Sequence, residues 1–425
     1  MSSGYRVKTI VLTSGERLPI LLDRDGQPMF EPTVFALTEV RGRNLAANTV
    51  GTVLRSVMIL QIFLNARGID LDVRLAAGDL LPLGEVEDLA RFCRRNLNEL
   101  ATSSDMSEGT ARRVLSLERV RMGMRPTVPA EVVPDVAASR LRYIRMYLQW
   151  LADERQSRRG LAPLVVARLG DTSRLVAEAI GARIPHTSGR NTFGQREGLP
   201  DETVADLLHI TDPNSLANPW HDQHTRYRNA LLVDWLLYLG LRVGEVLGVR
   251  VSDIVAYRKE VTVHRRPDDF DDPRRHQPQT KTRARVLPLS DALLARTQAY
   301  ILDYRGALPW AKKHSFLFVA SRTGRPMSLA AIGKVFKDLR EKCPSLPVGL
   351  SGHLLRHTWN DAFSKKMDEL GVTPENESRA RSYLMGWSPT SDSAAVYTRR
   401  YVRNKAKEVS LGLQDQMLNK ERRGE

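Results

Sequence analysis

Between Ala182 and Gly198 the chain reads ARIPHTSGRNTFGQREG, a polar run rich in glycine and poor in aliphatic residues, and this run constrains the fold more than any other feature. Neither a long helix nor a hydrophobic core can be carried through such a segment, so it reads as an exposed basic linker, 182–199, with a domain on each side. The 425 residues and 42% hydrophobic content suffice for two or three domains with cores of their own, which excludes a disordered or fibrous chain.

Ahead of the linker, residues 5–40 mix short apolar runs with turn signals at Ser14-Gly15 and Arg24-Asp25-Gly26. They predict a hairpin region over 1–40, whose role the sequence does not give. From Asn48, the residues Val50, Val53, Leu54, Val57, Met58 and Leu64 recur at near three-four spacing, and Gly68 stands where a C-terminal cap would. Further helices are expected over 85–100, 107–121 and 134–154, which makes 41–181 a helical domain. In the last of these helices Leu141, Ile144, Leu148 and Leu151 form an apolar stripe, whereas Arg140, Arg142 and Arg145 fall largely outside it. That arginine face is expected to lie on DNA phosphates; an ordinary solvated face is the plain alternative.

Beyond the linker, Pro200-Asp201-Glu202 places proline and acids in a first helical turn, as the helix dipole favours. Residues 227–239 are apolar enough for a buried helix. The segments 260–265 and 280–287 read as the strands of a β-ribbon joined by a polar loop, and after Leu293 the pattern is helical almost to the end. The fold class is therefore mainly α with a small antiparallel β-sheet (α+β).

Lysine and arginine total 64 against 49 acidic residues, a formal charge of +15 that favours a polyanionic partner, nucleic acid first. Charge alone does not separate a DNA-binding protein from a merely basic one. Cys93 and Cys343 are the only cysteines and lie far apart, so neither a disulfide framework nor a cysteine zinc site is expected. The start MSSGYRVKTIV has no basic segment followed by an apolar run, and no later run is read as reaching the ~20 apolar residues of a membrane helix. A cytoplasmic protein without a membrane partner is expected.

Three segments carry candidate chemistry. In LYLGLRVGEVLGVRVSDI, Arg242 follows the buried helix and Glu245 lies three residues on, the spacing at which side chains share a helix face. A guanidinium offers a planar fork of donors to phosphate oxygens, and a carboxylate can hold it in orientation; an internal salt bridge is the plain alternative. In LSGHLLRHTWND, His353 and Arg356 are three apart and His357 is four beyond His353. Two histidines at that spacing suit a metal, but no His-Glu-x-x-His pattern and no third ligand accompany them, so no metal is expected and His357 is given a supporting role. In YLMGWSPTSDSAAVYTRRYV, Tyr397 follows a stretch of small residues and precedes Arg399 and Arg400.

Taken in order, GLRxGE, HxLRHT and LMGW followed by YT match the catalytic domains of tyrosine recombinases, and over about residues 200–410 the chain resembles that family. The resemblance implies a helical core-binding domain joined to a catalytic domain, 200–408, the two forming a clamp on DNA. It implies that Arg242 and Arg356 grip the scissile phosphate with His353 between them, and that Trp387 donates its indole N–H where most members have a second histidine. Lys281, in QTKTRARVLPLS on the second ribbon strand, resembles the lysine that protonates the leaving hydroxyl. Tyr397 resembles the nucleophile that forms a 3′-phosphotyrosine. The stretch from Trp387 to Tyr397 is one residue longer than the family spacing, which leaves Tyr401 as a rival, and the Tyr397-Thr398 pair favours Tyr397.

The function implied is site-specific recombination or integration for a mobile element, without a cofactor. The implied partners are double-stranded DNA bearing a specific site and further copies of the chain, a dimer on one site and a tetramer in synapsis. The alternatives are type IB topoisomerase-like relaxation and a non-catalytic DNA-binding regulator. The tail 409–425 carries Val409, Leu411, Leu413 and Met417, an apolar stripe that could dock on a neighbouring subunit. The acidic run PDDFDD (Asp268, Asp269, Asp271, Asp272) could suggest magnesium, but between two ribbon strands it reads as a solvated loop. There is no GxxxxGKS phosphate loop.

Overall fold

The computed structural model describes residues 4–96, 131–158, 160–186, 198–388 and 405–418. The chain divides into two compact units, Met1–Thr192 and Phe193–Glu425. The expected helix over 107–121 lies outside the described residues.

In the first unit, strands β1 (Arg6–Val11) and β2 (Arg17–Leu22) pair antiparallel, from Arg6 opposite Leu22 to Val11 opposite Arg17. Helices α1 (Phe30–Phe35), α2 (Ala47–Ala66), α3 (Leu71–Ala76), α4 (Leu83–Phe92), α5 (Pro134–Ser157) and α6 (Pro163–Ala182) follow among the described residues. Leu21 of the hairpin shares one core with Phe35, Val57 and Phe63, with Leu89 of α4, Leu148 of α5 and Ile180 of α6. The hairpin is thus part of the helical unit's core; each of these fully covered side chains stabilises it by about 1.5–3 kcal/mol. Helix α2 is buried on nearly every side, and Gly68 at φ 62° follows its end. It is the one described helix long and apolar enough to cross a membrane, contrary to the sequence reading, and 67% of that window is buried inside the protein. Helix α6 occupies a stretch for which the sequence reading predicts no helix.

The second unit holds, among the described residues, α7 (Asp201–Thr211), α8 (Gln223–Tyr238), α9 (Val243–Val246), strands β3 (Ile254–Val255), β4 (Glu260–Val263) and β5 (Arg285–Pro288), then α10 (Asp291–Ala299), α11 (Leu329–Lys342), α12 (Gly352–Glu369) and α13 (Pro374–Met385). Helix α8 is its axis: every residue from Arg228 to Leu237 is buried, with Trp235 donating to Thr297 Oγ1 at 3.1 Å. The strands form an antiparallel sheet in the order β3-β4-β5, with Val261 opposite Leu287 and Val263 opposite Arg285. The ribbon is shorter than its sequence suggested and has a third strand.

The loop between β4 and β5 is not simply solvated. Arg274 is buried and grips Asp272 with two bonds (2.9 and 2.8 Å), while its Nη1 donates to the carbonyls of Leu247 and Met327 (3.1 and 2.8 Å). Its guanidinium stands 4.5 Å from the Phe316 ring centre. Asp269 takes Arg250 at 2.5 Å, and Arg266 reaches Asp253 at 2.5 Å. The acidic run therefore meets arginines, and a carboxylate satisfied by a guanidinium has no need of a cation.

Candidate active site

Helix α8 ends at a reversal in which Gly240 takes φ 60°; a Cβ there would lie 2.8 Å from the Trp359 side chain, so both backbone and space demand glycine. Arg242 then caps α9. Its N–H donates to Glu245 Oε2 at 3.1 Å, and its Nη1 lies 3.5 Å from Glu245 Oε1, so the two residues meet as N-cap and third helical residue rather than across one helix face. The Arg242 side chain is 30% exposed and Glu245 is fully covered.

Glu245 is the hub. Its Oε2 accepts from Arg285 Nη2 at 2.8 Å and lies 3.9 Å from Arg356 Nη1, while Oε1 accepts from Thr282 Oγ1 at 2.6 Å. Burial pushes its carboxyl up, but Arg285, Arg356 and the hydrogen bonds from Arg285 and Thr282 outweigh that and hold it below the ordinary glutamate value.

Helix α12 opens on Ser351, whose side chain accepts from the Leu354 N–H, and brings Arg356 to this hub. Arg356 is fully buried. Its Nη1 donates to the Gly240 carbonyl at 2.6 Å and its Nη2 to that of Met385 at 3.3 Å. One turn earlier His353 is exposed, and its Nε2 stands 3.1 Å from Nε2 of His357, with the rings edge-on at 4.6 Å. Among the described residues no group of three metal-ligating side chains occurs.

Trp387 reaches the same place from α13. Gly386, at φ 65°, closes that helix: its N–H donates to the Tyr383 carbonyl at 3.1 Å and the Trp387 N–H to that of Ser382 at 2.9 Å. The buried indole then lies over Arg356, ring centre to guanidinium 5.5 Å. Lys281 is exposed and sits in the loop before β5, not on the strand as the sequence suggested. Tyr397 and Tyr401 lie outside the described residues.

Arg242, Glu245, Arg356 and Trp387 thus converge, with His353 one turn from Arg356. The three arginines of α5 separate. Arg142 is exposed and Arg145 half-buried, but Arg140 is buried and donates to the carbonyls of Cys93 and Arg95 at 2.8 and 2.7 Å. It serves the C-terminal end of α4, where unsatisfied carbonyls attract a cation, and burial lowers its pKa. The expectation that Arg140 contacts DNA is therefore corrected.

Sequence reading missed Arg285 and Thr282. Arg285 is buried, donating to Thr282 Oγ1 at 3.0 Å and to the Leu384 carbonyl at 2.6 Å besides Glu245. The signal was present in RVLP: strand alternation puts Arg285 on the inward face with Leu287, and a charge at a core register requires an acid partner.

Residues 199–401 match the model of the phage integrase family, a span that takes in Arg242, Lys281, His353, Arg356, Trp387 and Tyr397. Tyrosine recombinase XerD of Halalkalibacterium halodurans is 25% identical over 171 residues, 40% of this chain and 49% of that protein. The chain thus spans about half the length of this curated relative. Similar solved structures include the Tn1549 transposon integrase in complex with transposon right end DNA (14% identity, TM-score 0.49, covering 90% of this chain and 100% of that one). Another is XerA recombinase (14% identity, TM-score 0.37, 89% and 97%). On the match over residues 199–401, which contains every segment that converges on Glu245, this part of the chain is a domain of the phage integrase family.

Proposed function

We propose that the chain is a tyrosine-type site-specific DNA recombinase that integrates or excises a mobile element, acting in the cytoplasm on double-stranded DNA. The observation that carries this reading is the convergence of Arg242, Glu245, Arg356 and Trp387, from three distant segments, inside the family-matched span. A guanidinium pair organised by one buried carboxylate is what a dianionic transition state at phosphorus requires.

In this reading Arg242, the more exposed arginine, meets the scissile phosphate first. Arg356, which is fully covered, completes the grip together with the Trp387 indole. The Tyr397 oxygen attacks phosphorus and gives its proton to His353, oriented by His357 one turn on. As the O–P bond to tyrosine forms, the bond from phosphorus to the 5′ oxygen breaks, and Lys281 supplies the proton that the leaving oxygen takes. The 3′-phosphotyrosine keeps the bond energy, so a second strand's 5′ hydroxyl can reverse the step without a nucleotide. Arg142 and Arg145 contribute phosphate contacts from the helical unit.

The test is covalent capture. The full chain is incubated with a random-sequence library of nicked duplexes, and DNA joined to protein through a 3′ end is recovered and sequenced. A defined sequence motif is expected; no adduct, or adducts without sequence preference, would overturn the reading. Capture should also proceed undiminished in excess EDTA, because fixed guanidinium charge stabilises the transition state. Activity lost with EDTA and restored by magnesium would overturn that mechanism.

The same reading includes assembly of subunits, a dimer on one site and a tetramer in synapsis. Residues 405–418 are helical with every side chain exposed, among them Val409, Leu411, Leu413 and Met417. An apolar stripe of that kind is suited to docking in a neighbouring copy. Deleting residues 409–425 should leave single-site binding within about twofold while abolishing multi-subunit complexes at concentrations where the full chain forms them. A folded truncated chain that still assembles would exclude the tail from that contact.

A further inference from the structure

The loop that carries Lys281 is fastened on both sides of it to the elements that hold the arginine pair. On one side, a Cβ at Gly244 would lie 2.5 Å from the Gln279 carbonyl oxygen, so the backbone of α9 and that of residue 279 are in direct contact. On the other, the Thr282 hydroxyl donates to Glu245 at 2.6 Å and accepts from Arg285 at 3.0 Å, while the Arg283 N–H donates to the Gly386 carbonyl at 2.9 Å. Between these anchors Lys281 alone is turned outward.

We propose that Thr282 and Arg285 are positioning residues that hold Lys281 in register with the phosphate grip, the Arg285–Glu245 pair being the common support of both. This rests on Lys281 being the general acid. Thr282 is adjacent to the acid and bonded to the carboxylate that orients Arg242, so the lysine's backbone is fixed relative to the phosphate it must reach. Without the hydroxyl, Glu245 keeps Arg285 and Arg242, but the loop carrying Lys281 loses the one of its two ties to α9 that lies next to the lysine. Proton delivery falls, and the grip on the phosphate stays. A misplacement on the order of 1 Å at a catalytic group costs up to about a hundredfold in rate.

The experiment compares the native chain, Lys281→Ala, Thr282→Val and Thr282→Ser on a captured duplex in ordinary form and with sulfur replacing the bridging 5′ oxygen. A sulfur leaving group departs without a proton. Thr282→Val should slow cleavage of ordinary DNA by about ten- to a hundredfold, cleave the sulfur substrate near the native rate, and bind DNA unchanged. Thr282→Ser, which keeps the hydroxyl, should restore most of the rate. If Lys281→Ala is rescued by sulfur and Thr282→Val is not, or if Thr282→Val is native on both substrates, the positioning role is overturned and the acid assignment stands. Equal slowing of Lys281→Ala on both substrates would overturn the acid assignment and this proposal with it. If the native chain captures no duplex at all, the recombinase reading itself fails.

Discussion

A Tyr397→Phe chain is expected to bind its DNA as tightly as the native chain and to form no covalent adduct with it. The substitution removes one oxygen atom and leaves ring, size and charge untouched, so neither packing nor phosphate contacts change. The phenol is a weak nucleophile at its free pKa of about 10, and a phosphodiester is among the slowest bonds to break unaided. In the mechanism proposed above no other atom takes the 3′ phosphorus, so the expected loss is complete rather than partial. Gel shift and denaturing gel on the same captured duplex read the two quantities separately. Should Tyr397→Phe still trap DNA while Tyr401→Phe does not, the nucleophile is Tyr401.

Removing the Glu245 carboxylate is expected to have the largest effect on stability. Glu245→Ala leaves Arg285, 2% exposed, and Arg356, fully covered, facing one another without their shared anion. Deleting one partner of a buried pair costs about 3–5 kcal/mol, because the remaining charge is stranded in a low-dielectric site. Five of the six tryptophans, Trp220, Trp235, Trp310, Trp359 and Trp387, belong to the second unit, so fluorescence during urea unfolding follows that unit. A loss below about 1 kcal/mol, the worth of an exposed pair, would show that the hub does not hold the fold. The pH dependence has a definite sign. The folded pKa of Glu245 lies below its unfolded value, so its contribution is complete at neutral pH and is lost as pH falls through that depressed value. Glu245→Gln should lack this acid-side dependence.

The residues legible in the sequence were those in GLRxGE, HxLRHT and LMGW followed by YT, segments that decide little singly and whose order carries the resemblance to tyrosine recombinases. Arg242 and Glu245 could be paired from a three-residue interval, and His353, Arg356 and His357 from one helical face. Arg285 and Thr282 were not legible, because their partners lie 40 and 37 positions away and only the sheet register brings them to α9. Arg140 was misread for the complementary reason. Its place outside the apolar stripe suggested solvent, but the end of α4 supplied carbonyls that could satisfy a buried guanidinium. Periodicity tells which face is apolar and does not tell what stands opposite a charge. The helices of 47–66 and 134–157 were visible from their repeats, whereas β3, at two residues, is too short to leave a pattern.

The loop between β4 and β5 also bears on how the chain answers to salt. Arg250, Arg266 and Arg274 are committed to Asp269, Asp253 and Asp272, and Arg274 is buried as well. A cation already neutralised from within displaces no ion from a phosphate. The formal charge of +15 therefore describes a titration, and the counterions released on DNA binding are set by arginines and lysines that lack such partners. The slope of log affinity against log salt, roughly 0.9 for each phosphate neutralised on duplex DNA, counts those groups directly. Charge-removing substitutions at Arg142 or Arg145 should flatten that slope, whereas the same change at Arg274 should leave it as it was.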